Sequence, residues 1–125
     1  MKKLGCHLIV EFYGCNEGIL DNVQVIKEHM LIAAQKIGAT IVGEKFHHFS
    51  PQGASGAVIL AESHLSIHTW PEYQYAAVDF FTCGDTCDPY KGLPHLQEIL
   101  KADDVYVREV DRGLKDDSCF LKDAC

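Results

Sequence analysis

Three strand-length runs, residues 55–61, 64–70 and 75–83, follow one another closely, and no other feature constrains the fold so strongly. Pro71-Glu72 marks a turn between the last two, and Ser50-Pro51-Gln52-Gly53 a turn ahead of the first. Residues 5–13, rich in β-branched and aromatic types, read as another strand, as do 40–49 and 104–110. Helical periodicity occurs twice. From Leu20, apolar residues recur at Val23, Ile26, Met30, Ala33 or Ala34, and Ile37, with Gly38 placed for a left-handed C-terminal cap. Asp88-Pro89 reads as a cap and first turn for a helix through Leu93, Leu96, Ile99 and Leu100. Pro94 lies inside that helix and is expected to kink or delay it, because it lacks an amide donor. The order β-α-β-β-β-β-α-β has no strict alternation. The expected fold class is therefore α+β, a two-layer sandwich with a mainly antiparallel sheet and two helices on one face. The other sheet face then needs cover, for which a second subunit is the obvious candidate.

A length of 125 residues supports one hydrophobic core, so the whole chain, 1–125, is expected to be a single domain. Its net charge of −7 argues against binding nucleic acid or an anionic membrane, both of which need clustered Lys and Arg. No apolar run reaches membrane-spanning length, and the Met-Lys-Lys-Leu-Gly-Cys-His opening does not read as a secretory signal. A soluble cytoplasmic protein is expected. The six cysteines, at 6, 15, 83, 87, 119 and 125, contain no Cys-x-x-Cys pair and are read as reduced thiols.

Reactive side chains concentrate between residues 54 and 85: Ser55, Glu62, Ser63, His64, Ser66, His68, Glu72, Asp79 and Cys83. Strand alternation sorts them. Leu65, Ile67 and Thr69 share one face, leaving His64, Ser66, His68 and Trp70 on the other. In 75–83 the row Ala77, Asp79, Phe81, Cys83 separates from Val78 and Phe80. Taken singly, a strand histidine is ordinarily hydrogen-bonded structure, a buried cysteine a small hydrophobe, and a serine beside a turn a turn residue. A serine hydrolase is disfavoured, since no Gly-x-Ser-x-Gly elbow occurs.

The run Ser55-Gly-Ala-Val-Ile-Leu-Ala-Glu-Ser-His-Leu-Ser-Ile-His-Thr-Trp-Pro-Glu-Tyr, continued by Tyr75-Ala-Ala-Val-Asp-Phe-Phe-Thr-Cys-Gly-Asp, closely resembles the prokaryotic S-adenosylmethionine decarboxylases. Phe46-His-His-Phe-Ser-Pro-Gln-Gly and Gly5-Cys-His-Leu-Ile-Val-Glu-Phe-Tyr-Gly-Cys resemble the same family, so the likeness runs from about residue 4 to Gly113. Two departures are visible: Cys6 stands where the family's opening carries Arg, and the tail beyond Gly113 is unlike the family's.

The resemblance implies a proenzyme cleaved between Glu62 and Ser63 into chains 1–62 and 63–125. The Ser63 hydroxyl would attack the Glu62 carbonyl, exchanging amide for ester. A base, His68 in the family, would remove the α-proton of residue 63, and β-elimination would free the first chain. Loss of ammonia to water then leaves a pyruvoyl group derived from Ser63. Ser55 matches the serine that helps hold the tetrahedral intermediate. The pyruvoyl carbonyl would form a Schiff base with the amino group of S-adenosylmethionine and accept electrons as carbon dioxide leaves, with Cys83 returning the proton. The product would be the aminopropyl donor of spermidine synthesis. Phe49 matches the aromatic that stacks on adenine and Glu72 the carboxylate that holds the ribose, with Tyr13 a weaker aromatic candidate. No metal is implied.

Five residues of extended chain span roughly 16 Å, so a strand at 64–70 holds His68 away from its own Ser63. A homodimer with shared sites follows as the expectation: Ser63 and Cys83 of one protomer would meet Ser55 and His68 of the other. Two rival substrates, arginine and ornithine, belong to relatives with the same pyruvoyl chemistry, but Phe49 and Glu72 favour a nucleoside. A metal or redox module using His47, His48, Cys83 and Cys87 is opposed by the opposite orientations of adjacent strand residues. A non-catalytic partner subunit would be expected to lack Ser63 or His68, and this chain has both.

Overall fold

A computed structural model describes residues 3–83 and 85–114. Within them six strands form one sheet: β1 (Lys3–Tyr13), β2 (Ile41–His48), β3 (Ala54–Leu60), β4 (Ser63–Trp70), β5 (Tyr75–Cys83) and β6 (Asp104–Leu114). Their order across the sheet is β2-β3-β4-β5-β1-β6, and every neighbouring pair is antiparallel. The runs between 54 and 83 thus form a meander, which β1 extends on its far side.

Among the described residues three helices accompany the sheet: α1 (Glu17–Leu20), α2 (Val23–Lys36) and α3 (Leu93–Leu100). Ile26, Met30, Ala33 and Ala34 of α2, with Leu96 and Leu100 of α3, are buried against one face of the sheet. That face supplies Leu8, Val10 and Phe12 from β1, Val58 from β3, Leu65 and Ile67 from β4, and Val78 and Phe80 from β5. The expected α+β sandwich, with its long helices on one side, is the observed architecture.

The local expectations need two adjustments. The stripe beginning at Leu20 is divided, because Leu20 closes the one-turn helix α1 and α2 starts at Val23. The cause is a second cap: Asn16 accepts from the Ile19 amide and Asn22 from the Val25 amide, so each starts its own helix. At the other helix, Asp88 caps a 3-10 turn over Pro89–Gly92, and α3 follows from Leu93. Pro94 therefore falls in the first turn of α3, where no amide donor is needed, and delays the helix rather than kinking it. Gly38, at φ +83°, follows α2 as expected for a left-handed cap. The tail cysteines Cys119 and Cys125 lie outside the described residues.

Strand alternation holds as read. Leu65 and Ile67 are fully buried and Thr69 nearly so, while His64, Ser66, His68 and Trp70 stand on the face away from the helices. Register aligns that outer face in rows. Ser55, His68, Ala77, Glu11 and Tyr106 are successive neighbours across β3, β4, β5, β1 and β6. The next row toward the strand ends is Trp70, Tyr75, Tyr13 and Asp104.

Candidate active site

Ser55 and His68 are thirteen residues apart in sequence, yet they are direct cross-strand partners of β3 and β4. Their side chains share a hydrogen bond, Ser55 Oγ to His68 Nδ1, of 2.8 Å. They open into a pocket of about 300 Å³ together with Phe49, Gln52, Gly53, Thr69, Trp70 and Glu72. Two different loops complete its wall. Phe49 begins the loop after β2, where its ring meets His47 edge-on at 4.6 Å. Glu72 belongs to the 3-10 turn Pro71–Tyr73 that follows β4. Four residues selected from the sequence, Phe49, Ser55, His68 and Glu72, therefore line one cavity.

The floor of that cavity is tied to the helical layer. Thr69 Oγ1 accepts from the Ala54 amide at 2.8 Å and donates to the Leu20 carbonyl at 2.7 Å. Trp70 stacks on Tyr75, which stacks on Tyr13, which meets Tyr106 edge-on, so an aromatic ladder continues from the pocket across the outer face. Glu11 accepts a hydrogen bond from the Tyr75 hydroxyl, and burial, reinforced by this bond, pushes the Tyr75 phenol well above its ordinary range. Trp70 was legible beforehand as a same-face neighbour of His68, whereas Gln52 carried no signal beyond its place in a turn.

Glu62, Ser63 and Cys83 lie at the opposite end of the sheet. Ala61 and Glu62 form a tight turn between β3 and β4, whose paired ends are Leu60 and Ser63. Three hydrogen bonds hold it: the Ala61 amide donates to the Thr40 carbonyl, the Thr40 amide to Glu62 Oε1, and the Cys83 amide to the Glu62 carbonyl. The first two measure 2.9 Å and the third 2.8 Å. Donation from Thr40 also holds the Glu62 carboxyl below its ordinary range. Ser63 has φ +144°, a conformation L side chains rarely adopt, at a cost of about 1–3 kcal/mol. The strained residue and the carbonyl before it thus lie at a turn against which the half-buried Cys83, at the end of β5, is hydrogen-bonded.

β4 runs unbroken from Ser63 to Trp70, so His68 stands roughly 16 Å along the strand from its own Ser63. The residues singled out from the sequence therefore fall into two groups, at opposite ends of the sheet. Between them lies a polar network in which Ser66 and Asp79, both sequence candidates, are joined by His7 and Arg112. Ser66 donates to Asp79 Oδ2 at 3.0 Å, His7 Nε2 donates to Asp79 Oδ1 at 3.2 Å, and Arg112 donates to His7 Nδ1 at 2.9 Å. His7 also stacks on Phe81, with ring centroids 5.2 Å apart. The adjacent pair His47 and His48 diverges as expected, His48 bonding Asp21 while His47 meets Phe49.

Comparison with known proteins gives one answer along nearly the whole chain. The family described as S-adenosylmethionine decarboxylase matches residues 6–113. The S-adenosylmethionine decarboxylase proenzyme of Thermotoga petrophila is 56% identical over 124 residues, covering 99% of this chain and 95% of the relative. The proenzyme of the same name from Thermosipho melanesiensis is 56% identical over 117 residues, covering 94% and 90%. Among solved structures, the adenosylmethionine decarboxylase of Aquifex aeolicus superposes with a TM-score of 0.86 at 34% identity, covering 93% of this chain and 96% of that one.

Proposed function

The chain belongs to the S-adenosylmethionine decarboxylase family, and from that premise we propose that it cleaves itself at Glu62–Ser63 and decarboxylates S-adenosyl-L-methionine to S-adenosylmethioninamine. The observation that carries this reading is the convergence of Phe49, Ser55, His68 and Glu72 on one pocket, with Ser63 strained at the far end of the same strand. An aromatic ring and a carboxylate in one wall suit a nucleoside, which offers a base to stack and a diol to hold. Arginine and ornithine present neither.

Ser63 suits self-cleavage on physical grounds. Breaking the 62–63 peptide removes the torsion that is strained. The Cys83 amide already donates to the Glu62 carbonyl, which polarises the carbon that the Ser63 hydroxyl attacks. A pyruvoyl group formed from Ser63 supplies an electron sink for loss of the carboxylate. The chain's own groups do the rest. His68 removes the α-proton of residue 63, and Ser55, hydrogen-bonded to it, steadies the oxyanion of the acyl shift. Cys83 then returns a proton to the substrate carbon.

Because the two groups of residues are held apart by a regular strand, each complete site is built from two copies. The bare outer sheet face, with its rows of His, Ser and aromatic side chains, is the surface on which a homodimer forms. The processed chains 1–62 and 63–125 remain one domain, since β3 and β4 stay paired on either side of the cut. Among the described residues no helix is long and apolar enough to cross a membrane. The free thiols of Cys6, Cys15, Cys83 and Cys87 fit a cytoplasmic protein.

Intact-mass spectrometry of fresh protein beside Ser63→Ala tests the first step, and release of carbon dioxide from carboxyl-labelled S-adenosylmethionine tests the second. Two chains, the second lighter by one ammonia than a serine-ended peptide, with turnover of S-adenosylmethionine in preference to arginine and ornithine, are expected. A stable uncut chain, or cleaved protein inert toward S-adenosylmethionine, would overturn the assignment.

A further inference from the structure

Phe49 stands on a loop with little to hold it. The residue is 46% exposed, and its ring meets that of His47 on an edge strand. A wall of that kind recognises a ligand only if the backbone beneath it is fixed, since exposed loops otherwise sample many conformations. The fixing comes from outside the pocket. Asp21, the residue that closes α1, presents a single oxygen, Oδ1, to both ends of the loop. His48 Nε2 donates to it at 2.7 Å from the residue before Phe49. The Gly53 amide donates to it at 2.9 Å from the loop's far end.

The connection continues inward. The Gly53 carbonyl accepts from the Phe49 amide at 2.8 Å, closing the loop on itself. Gly53 is at φ +104°, and a Cβ there would lie 3.0 Å from the Thr69 carbonyl, so the loop is pressed against the pocket floor. Leu20, next to Asp21, accepts from Thr69 on the same floor. One carboxylate at the end of a one-turn helix therefore sets the spacing between floor and wall.

We propose that Asp21 is a positioning residue for the adenosyl moiety: it acts through His48 and Gly53 to hold Phe49 where the base stacks. This rests on the reading of the Phe49–Glu72 pocket as the nucleoside site. Asp21 touches neither Ser55 nor His68 by hydrogen bond, and those two are held by strand register and by their mutual bond. Self-cleavage is therefore independent of Asp21, and substrate affinity is not.

The test compares wild type, Asp21→Ala, Asp21→Asn and His48→Ala as self-processed enzymes. Asp21→Ala is expected to cleave completely, to raise KM for S-adenosylmethionine about tenfold and the inhibition constant of adenosine in parallel, and to keep kcat within about twofold. Asp21→Asn retains an Oδ1 acceptor and is expected to restore KM to within about threefold of wild type, with His48→Ala intermediate. A merely structural role would lower kcat and the extent of cleavage while leaving KM unchanged, and that outcome overturns the proposal. If Asp21→Ala does not accumulate as folded protein, an unchanged KM in His48→Ala overturns it instead. Wild-type enzyme that turns over S-adenosylmethionine without competition from adenosine would remove the nucleoside site itself, and this inference with it.

Discussion

Mixing two inactive chains should restore cleavage to one of them in a calculable proportion. The perturbation is co-expression of Ser63→Ala with His68→Ala, each distinguishable by mass. Ser63 and His68 of one chain are roughly 16 Å apart along β4, whereas proton removal needs donor and acceptor within about 3 Å. No side-chain rotation spans that difference, so the proposed role of His68 requires the Ser63 of a second copy. In equal mixtures, random pairing places about half of the His68→Ala chains opposite a Ser63→Ala chain, which still carries its histidine. Each such heterodimer holds one site with both Ser63 and His68 and one with neither. About half of the His68→Ala chains should therefore be cut, and none of the Ser63→Ala chains. Intact-mass spectrometry after prolonged incubation, with each variant alone as control, reads both numbers. A mixture with no cut His68→Ala chain would refute the shared site, as would extensive cleavage of His68→Ala alone.

Other substitutions probe separate parts of the structure. Phe80→Ala, at a fully buried position beneath the helices, should destabilise the fold by about 3–5 kcal/mol in urea unfolding, and a loss below 1 kcal/mol would show that Phe80 is not tightly packed. Phe49→Ala should leave self-cleavage intact and raise KM for S-adenosylmethionine about tenfold, the cost of one lost base–aromatic stack; an unchanged KM would move the base elsewhere. Cys15 is buried, and desolvation pushes its thiol from about 9 up to about 11. The unfolded thiol ionises first, so stability is intact below about pH 9 and falls by up to roughly 3 kcal/mol as pH rises to about 11. Cys15→Ala should flatten that alkaline decline in unfolding measured from pH 8 to 11, and an identical slope in both proteins would assign it to other groups.

Much was legible in the sequence because it depends on local chemistry. The alternation at 64–70 follows from the period of two along a strand, and it correctly separated Leu65 and Ile67 from Ser66 and His68. Gly38 and Asp88 declared their turns because few residues suit a left-handed cap or a helix-start acceptor. The separation of Ser63 from His68 needed only the rise per residue of an extended chain. The family's motif identified Ser55, Phe49 and Glu72 as companions of His68, but no local rule brings them together.

Tertiary structure decided the rest. Ser55 meets His68 because β3 and β4 pair in one register, and a slip by one residue would turn one of the two toward the helices. The strain at Ser63 arises where a two-residue turn is clamped by Thr40 and Cys83 from other strands and loops. Asp21 reads in sequence as an ordinary acidic residue near a helix end. It becomes the anchor of the Phe49 loop because folding lays α1 beside the end of β2, and only that packing gives one carboxylate oxygen two donors at once. Sequence thus determined which faces and turns the chain could make, since those depend on neighbours a few residues away. The site required long-range pairing, since hydrogen bonds act over about 3 Å and the groups they join here lie far apart along the chain.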